Sequence, residues 1–112
     1  MSHSPRSRRR GQVVLFHLTP RRCLASIWRH GLLPCFARGL LPAVWLCCRS
    51  RRSWAFDHVS DQNFTCDLVC LRIRLPRSWL VRRRRGVWTC DRPIPIRCIV
   101  AVSIAAPRPA AA

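Results

Sequence analysis

The sequence predicts an α+β domain, a small mixed β-sheet of about five strands with two helices. Three observations lead there. Short apolar runs bounded by proline or glycine recur along the chain, as at 12–18, 43–48, 68–75, 87–90 and 98–104. Between the first three runs the apolar residues change to helical spacing, at 21–31 and 50–62. And 112 residues, 49% of them apolar, suffice for one modest core but not for two.

Residues 1–11 are rich in Ser and Arg and read as a disordered basic arm, 12–104 as the single domain, and 105–112 as a disordered Ala/Pro tail. The first strand, Gln12 to Leu18, is an apolar run that stops at Thr19-Pro20. Proline suits the first turn of the helix that follows, because its missing N–H has no partner there in any case. In that helix Leu24, Ile27 and Trp28 share a face, and Gly31 is placed to end it. A loop over 34–42 offers Phe36 and Leu40 as a cover. Ala43 to Cys48 is the second strand, and Ser50 is a candidate cap for a helix reaching Gln62, with Trp54, Ala55 and Val59 inward. Leu68 to Leu75 begins as a continuous apolar run and ends in alternation, the pattern of a strand passing from centre to rim. The run Arg82-Arg83-Arg84-Arg85 reads as a loop before the short strand Val87 to Cys90. The last strand runs from Cys98 to Ile104.

The formal charge is +17, and its make-up is unusual: the 21 basic residues are all arginine, and the four acids are Asp57, Asp61, Asp67 and Asp91. Such a balance favours polyanionic partners, nucleic acid before anionic membrane. A coding bias toward arginine accounts for the same composition. Arg82, Arg83, Arg84 and Arg85, flanked by Trp79 and Trp88, are the candidate nucleic-acid contact, with guanidinium groups for phosphates and aromatic faces for bases; a solvated charge run has the same appearance. Eight cysteines occur without a Cys-x-x-Cys pair, so no metal site is expected, and four of them (Cys47, Cys48, Cys70 and Cys98) sit in apolar stretches as small hydrophobes. Reduced thiols, no signal peptide and no apolar run of membrane-spanning length point to a cytoplasmic protein.

The order Phe16-His17-Leu18-Thr19, Ile27, Gly31-Leu32-Leu33-Pro34, Val44-Trp45-Leu46, Ala55, His58-Val59, Gly86-Val87-Trp88-Thr89, Asp91 and Ile94-Pro95 resembles the ADP-ribosyltransferase fold. Within it the match is to the NAD-binding lobe of the RNA 2′-phosphotransferases, over about residues 12–104. The resemblance implies NAD as cofactor, with His17 on a ribose hydroxyl, Leu18 where backbone approaches the nicotinamide, and Thr19 supporting the strand end. Trp45 becomes a candidate stacking face, Arg49 and Arg52 candidate phosphate holders, and Asp91 the default carboxylate beside the catalytic His17.

The chain departs from the family in reading His-Leu-Thr for His-Gly-Thr, and it contains no glutamate. Transfer without a glutamate suits an acceptor that is already a nucleophile, such as a phosphorylated or nucleic-acid group, better than a protein side chain. The alternative is a catalytically silent, basic nucleic-acid-binding module. If the NAD reading holds, His17, Trp45 and Trp88 should line one cleft.

Overall fold

The computed structural model describes residues 11–34 and 42–105. The expected arm up to 10, the expected tail beyond 105 and the proposed cover of Phe36 and Leu40 lie outside these, while Ala105, expected to open the tail, ends the last strand. The elements in order are β1 (Gln12–Pro20), α1 (Leu24–His30), β2 (Val44–Cys47), α2 (Arg52–Asn63), β3 (Leu68–Pro76), β4 (Leu80–Arg84), β5 (Val87–Cys90) and β6 (Ile99–Ala105). The six strands form one sheet in the order β4-β5-β2-β1-β3-β6. The class is α+β, as expected, but the sheet has one more strand and is wholly antiparallel rather than mixed.

β1 is the axis of this sheet. It pairs with β3 along its whole length, from Gln12 opposite Pro76 to Pro20 opposite Leu68, and its Phe16 lies opposite Cys47 of β2. Side chains alternate between faces along a strand, so this register deals the apolar residues into two cores. Leu15, Val44, Leu46, Val69, Leu71, Ile73 and Leu75 meet Ile27 of α1 on one face. Phe16, Leu18, Cys47, Leu68 and Cys70 meet Phe56 of α2 on the other. β3 supplies both faces, which is why its first half reads as an unbroken apolar run.

The extra strand is β4. It contains the first three members of the arginine run, and its residues are largely exposed because it is an edge. Arginine in a loop and arginine on an edge strand look alike in a sequence, since both are solvated; edge strands use charge to resist further pairing. Ser50 does not cap α2: its hydroxyl lies 3.2 Å from the Cys48 thiol, and the helix starts at Arg52 with no side-chain cap. Ala55 and Val59 do pack inward, but the buried anchor of α2 is Phe56, while Trp54 is half-buried beside His58.

Gly31 ends α1 as expected, and the structure shows why glycine is needed. Its φ is +76° with ψ −170°, a region essentially confined to glycine. A Cβ there would sit 2.5 Å from the carbonyl oxygen of Ile94. That oxygen accepts from Leu32 N–H at 3.0 Å, and Ile94 N–H returns a bond of 2.8 Å to Leu32, tying the end of α1 to the segment after β5. Gly11 also has positive φ, +82°, but open space around its Cβ position. Gly31→Ala should therefore destabilise by more than about 2 kcal/mol in urea unfolding, and Gly11→Ala by only about 1 kcal/mol. Equal losses would mean that backbone conformation alone, and not the contact with Ile94, sets the requirement.

Candidate nucleic-acid interface

The two faces of the sheet are not equally covered by the described elements. On the α2 side, α2 packs over Leu18, Leu68 and Cys70, the end of the sheet where β1 finishes and β3 begins. The other half of that face carries Val14, Trp45 and, by the alternation of β3, Arg72 and Arg74, with Phe16, buried in the α2-side core, at the boundary. The antiparallel pairing sets Arg72 opposite Phe16 and Arg74 opposite Val14. Arg49, from the segment before α2, and Arg52, its first residue, lay their guanidinium groups over the Phe16 ring at 5.6 and 5.0 Å. Arg83 Nε donates to Thr89 Oγ1 at 2.8 Å, and Thr89 lies opposite Trp45. Arg84 sits 5.3 Å over Trp54, whose other partner is the His58 ring, stacked at 5.5 Å. A depression of about 470 Å³ between the ends of β2 and β4 is lined by Cys48, Ser50, Arg51, Arg85 and Gly86.

This surface is strongly electropositive. Among the described residues the single ion pair joins Arg21 to Asp67 at 3.0 Å, away from the surface just described. The guanidinium groups here rest instead on rings, a hydroxyl and a carbonyl: Arg52 Nε also donates to the Arg49 carbonyl at 3.3 Å. Arginine over an aromatic face keeps its charge and most of its N–H donors available.

The arginine run divides. Arg83 and Arg84 reach the α2 side, Arg85 lies at the strand ends beside Cys48 and Gly86, and Arg82 lies opposite Trp88 and so belongs to the α1 side. Arg51, which follows β2 with Arg49 and Arg52, was a phosphate-holding candidate in the sequence, whereas Arg72, Arg74 and Trp54 were missed as parts of this surface. The alternation Arg72-Ile73-Arg74 did carry a signal, because it marks the point where the α2 side of β3 leaves the core.

The residues assigned to NAD are split between faces. Phe16 opposite Cys47 places His17 beside Leu46, and Leu46 lies opposite Trp88, so His17 and Trp88 share the α1 side. Trp45 is on the α2 side with Phe16 and Leu18, so the expectation of one cleft lined by His17, Trp45 and Trp88 is not met. Thr19 shares the His17 side and is buried, as is Leu18 on the opposite side. Arg49 and Arg52 belong with Trp45. Asp91 is exposed just beyond β5, three positions past Trp88, and no hydrogen bond or ion pair links it to His17. Among the described residues no cluster of His, Cys and Asp could hold a metal ion, and no helix is long and apolar enough to cross a membrane.

His17 itself is held firmly. Its Nδ1–H donates to the Trp45 carbonyl at 2.7 Å, which leaves Nε2 as the unprotonated nitrogen. Burial lowers its pKa below the usual histidine value, with the bond to Trp45 opposing that shift. Neighbouring thiols differ sharply. Burial, with the nearby Cys70 and Cys48 thiols, pushes Cys47 up to about 12, whereas the Ser50 hydroxyl lowers Cys48. The seven described cysteines are all unpaired. No protein-family model matches the chain, and no curated protein matches it either.

The His17 environment makes a pH prediction. A lowered folded-state pKa means that the unfolded chain binds more protons between that pKa and about 6.5, so stability rises with pH through this window. Thermal unfolding should show stability lost as pH falls below about 6.5, and His17→Gln should remove most of that slope. A variant retaining the full slope would assign it to the other histidines.

Proposed function

We propose that the protein binds single-stranded nucleic acid across the half of the α2-side sheet face that α2 leaves open. The observation that supports this best is the pairing of cations with rings along the border of that half: Arg49 and Arg52 over Phe16, Arg84 over Trp54, and partly buried Trp45 beside the Arg83–Thr89 contact. Phosphates draw on arginine's charge and its several donors, and each neutralised phosphate releases counterions. Unpaired bases find stacking partners in Trp45 and in the guanidinium planes. A duplex hides its base faces, so a flat aromatic sheet surface suits single strands better.

A second reading draws on the fixed His17. NAD-dependent transfer to a nucleic-acid or phosphorylated acceptor, in the manner of an ADP-ribosyltransferase-like or 2′-phosphotransferase-like domain, would use Nε2 of His17 toward a ribose hydroxyl. Its residues now fall on two faces, so a dinucleotide would have to wrap the strand ends between them to meet His17 and Arg52 together. The first reading needs no such path.

Titrations separate the two. With a single-stranded oligonucleotide, replacing Arg83, Arg84 and Arg85 by Ser should weaken binding and flatten the log–log salt slope by roughly 2, about 0.7 for each phosphate contact. Arg82→Ser should leave the slope unchanged, and Trp45→Ala should cost about 1–3 kcal/mol of binding. Equal effects of Arg82 and Arg84 would reduce the run to diffuse charge. NAD that quenches tryptophan fluorescence in the native chain, but not in His17→Ala, would favour the second reading.

A further inference from the structure

The two edges of the sheet are built differently. β4 is an edge lined by Arg82, Arg83 and Arg84, and its register shifts between Arg82 and Arg84. Charge and irregularity of this kind discourage another strand from pairing. β6, the opposite edge, shifts register only near its start, at Val100 between Ile99 and Ala101, and none of its seven residues, Ile99 to Ala105, is charged. Val102 and Ile104 point to the α1 side, opposite Leu71 and Val69, and remain 39% and 72% exposed. Beside them lies a largely apolar depression of about 210 Å³, lined by Arg21, Leu24, Val69, Val102, Ser103 and Ile104.

We propose that β6 pairs with β6 of a second copy of this chain, antiparallel and about a two-fold axis at Ser103. Two features select a second copy. The first is self-complementarity. Centred on Ser103, the pairing sets Val102 opposite Ile104 of the other copy, and Ala101 opposite its Ala105. Larger apolar side chains thus meet on the α1 side and small ones on the α2 side, as an isologous interface requires. The second is charge. A chain of net charge +17 repels its own copies over most of its surface. At this edge the strand is neutral, and the arginine lining the adjacent depression, Arg21, is the one paired with an acid among the described residues, Asp67 at 3.0 Å. Among the described residues, Arg72 is one strand inward on the opposite face, and Arg97 precedes the strand. Pro107 and Pro109, which follow in the sequence, disfavour continued pairing beyond it. The result is one twelve-stranded sheet, twice the six strands of a copy, with both nucleic-acid faces on the same side. The pairing itself does not depend on the nucleic-acid reading.

Sedimentation velocity of the full chain over a range of concentrations and salt tests this. The expected result is a monomer–dimer equilibrium that tightens as salt screens the net charge. Ile104→Lys should weaken it on the order of tenfold or more, by placing an unpaired ammonium in the contact, while leaving the circular dichroism spectrum unchanged, since Ile104 is exposed in the monomer. Hydrogen exchange gives an independent reading: outward-facing amides between Ala101 and Ala105 should gain protection at high concentration only. A chain monomeric at every concentration and salt would overturn the proposal. A dimer indifferent to Ile104→Lys, or one whose β6 amides exchange freely, would overturn it too.

Discussion

Every other feature of this molecule depends on the full-length pairing of β1 with β3. Nine residues of β1 have partners on β3, and the register sends Leu15 to one core and Phe16 to the other. A slip of one position would exchange the faces, putting His17 among the α2-side residues and Phe16 under α1. The pairing is protected against that slip because the two faces differ near its centre: Leu71 and Ile73 are fully buried on the α1 side, whereas Arg72 between them is exposed on the other. Deleting such a side chain costs about 2–5 kcal/mol, a large share of the stability of a domain this small.

The positive charge is arranged around this constraint. Arginine cannot shed its proton, so it has to be placed where water, a ring or an anion can meet it. The α1 side is filled by Ile27, Leu32, Ile94 and Cys98, while the α2 side receives arginines from β3, β4 and the segment before α2. Arg74 marks the boundary: its Nε is buried and has no hydrogen-bond partner among the described residues. The cation–aromatic contacts contribute only about 0.5–1 kcal/mol each at such exposure. Their larger consequence is orientation, since they fix guanidinium planes above a sheet face instead of leaving them to sweep solvent.

Much of the fold was legible in the sequence. Proline and glycine punctuation located β1, β2, β3, β5 and β6 to within a few residues, and Gly31 marked the end of α1 through a requirement for positive φ that few residues satisfy. β4 was not legible, because Val81-Arg82-Arg83-Arg84 lacks the apolar alternation that identifies a strand; it is held by pairing with β5, a tertiary effect. The end of α2 was legible to within one residue, Gln62 against Asn63, even though Phe64 adopts the left-handed conformation there at φ +53° in place of glycine or asparagine; its start was hidden, expected after Ser50 and found at Arg52. The site was read in part. The arginine run and Trp45 were visible as residue types, but which face each occupies follows from register. Register is why His17 and Trp45, close in the resemblance and in the backbone, present their side chains to opposite sides.

The five tryptophans report directly on that division. Trp45 and Trp54 belong to the α2 side, and Trp79 and Trp88 pack on the α1-side core, with Trp28 exposed on α1. Ultraviolet cross-linking of the full chain to a single-stranded oligonucleotide, followed by peptide mapping, reads which of them meet bases. The predicted result is adducts at Trp45 and none at Trp28, Trp79 or Trp88, with Trp54 shielded between Arg84 and His58. Adducts concentrated at Trp88 or Trp28, with Trp45 unmodified, would contradict it and move the interface to the other side of the sheet.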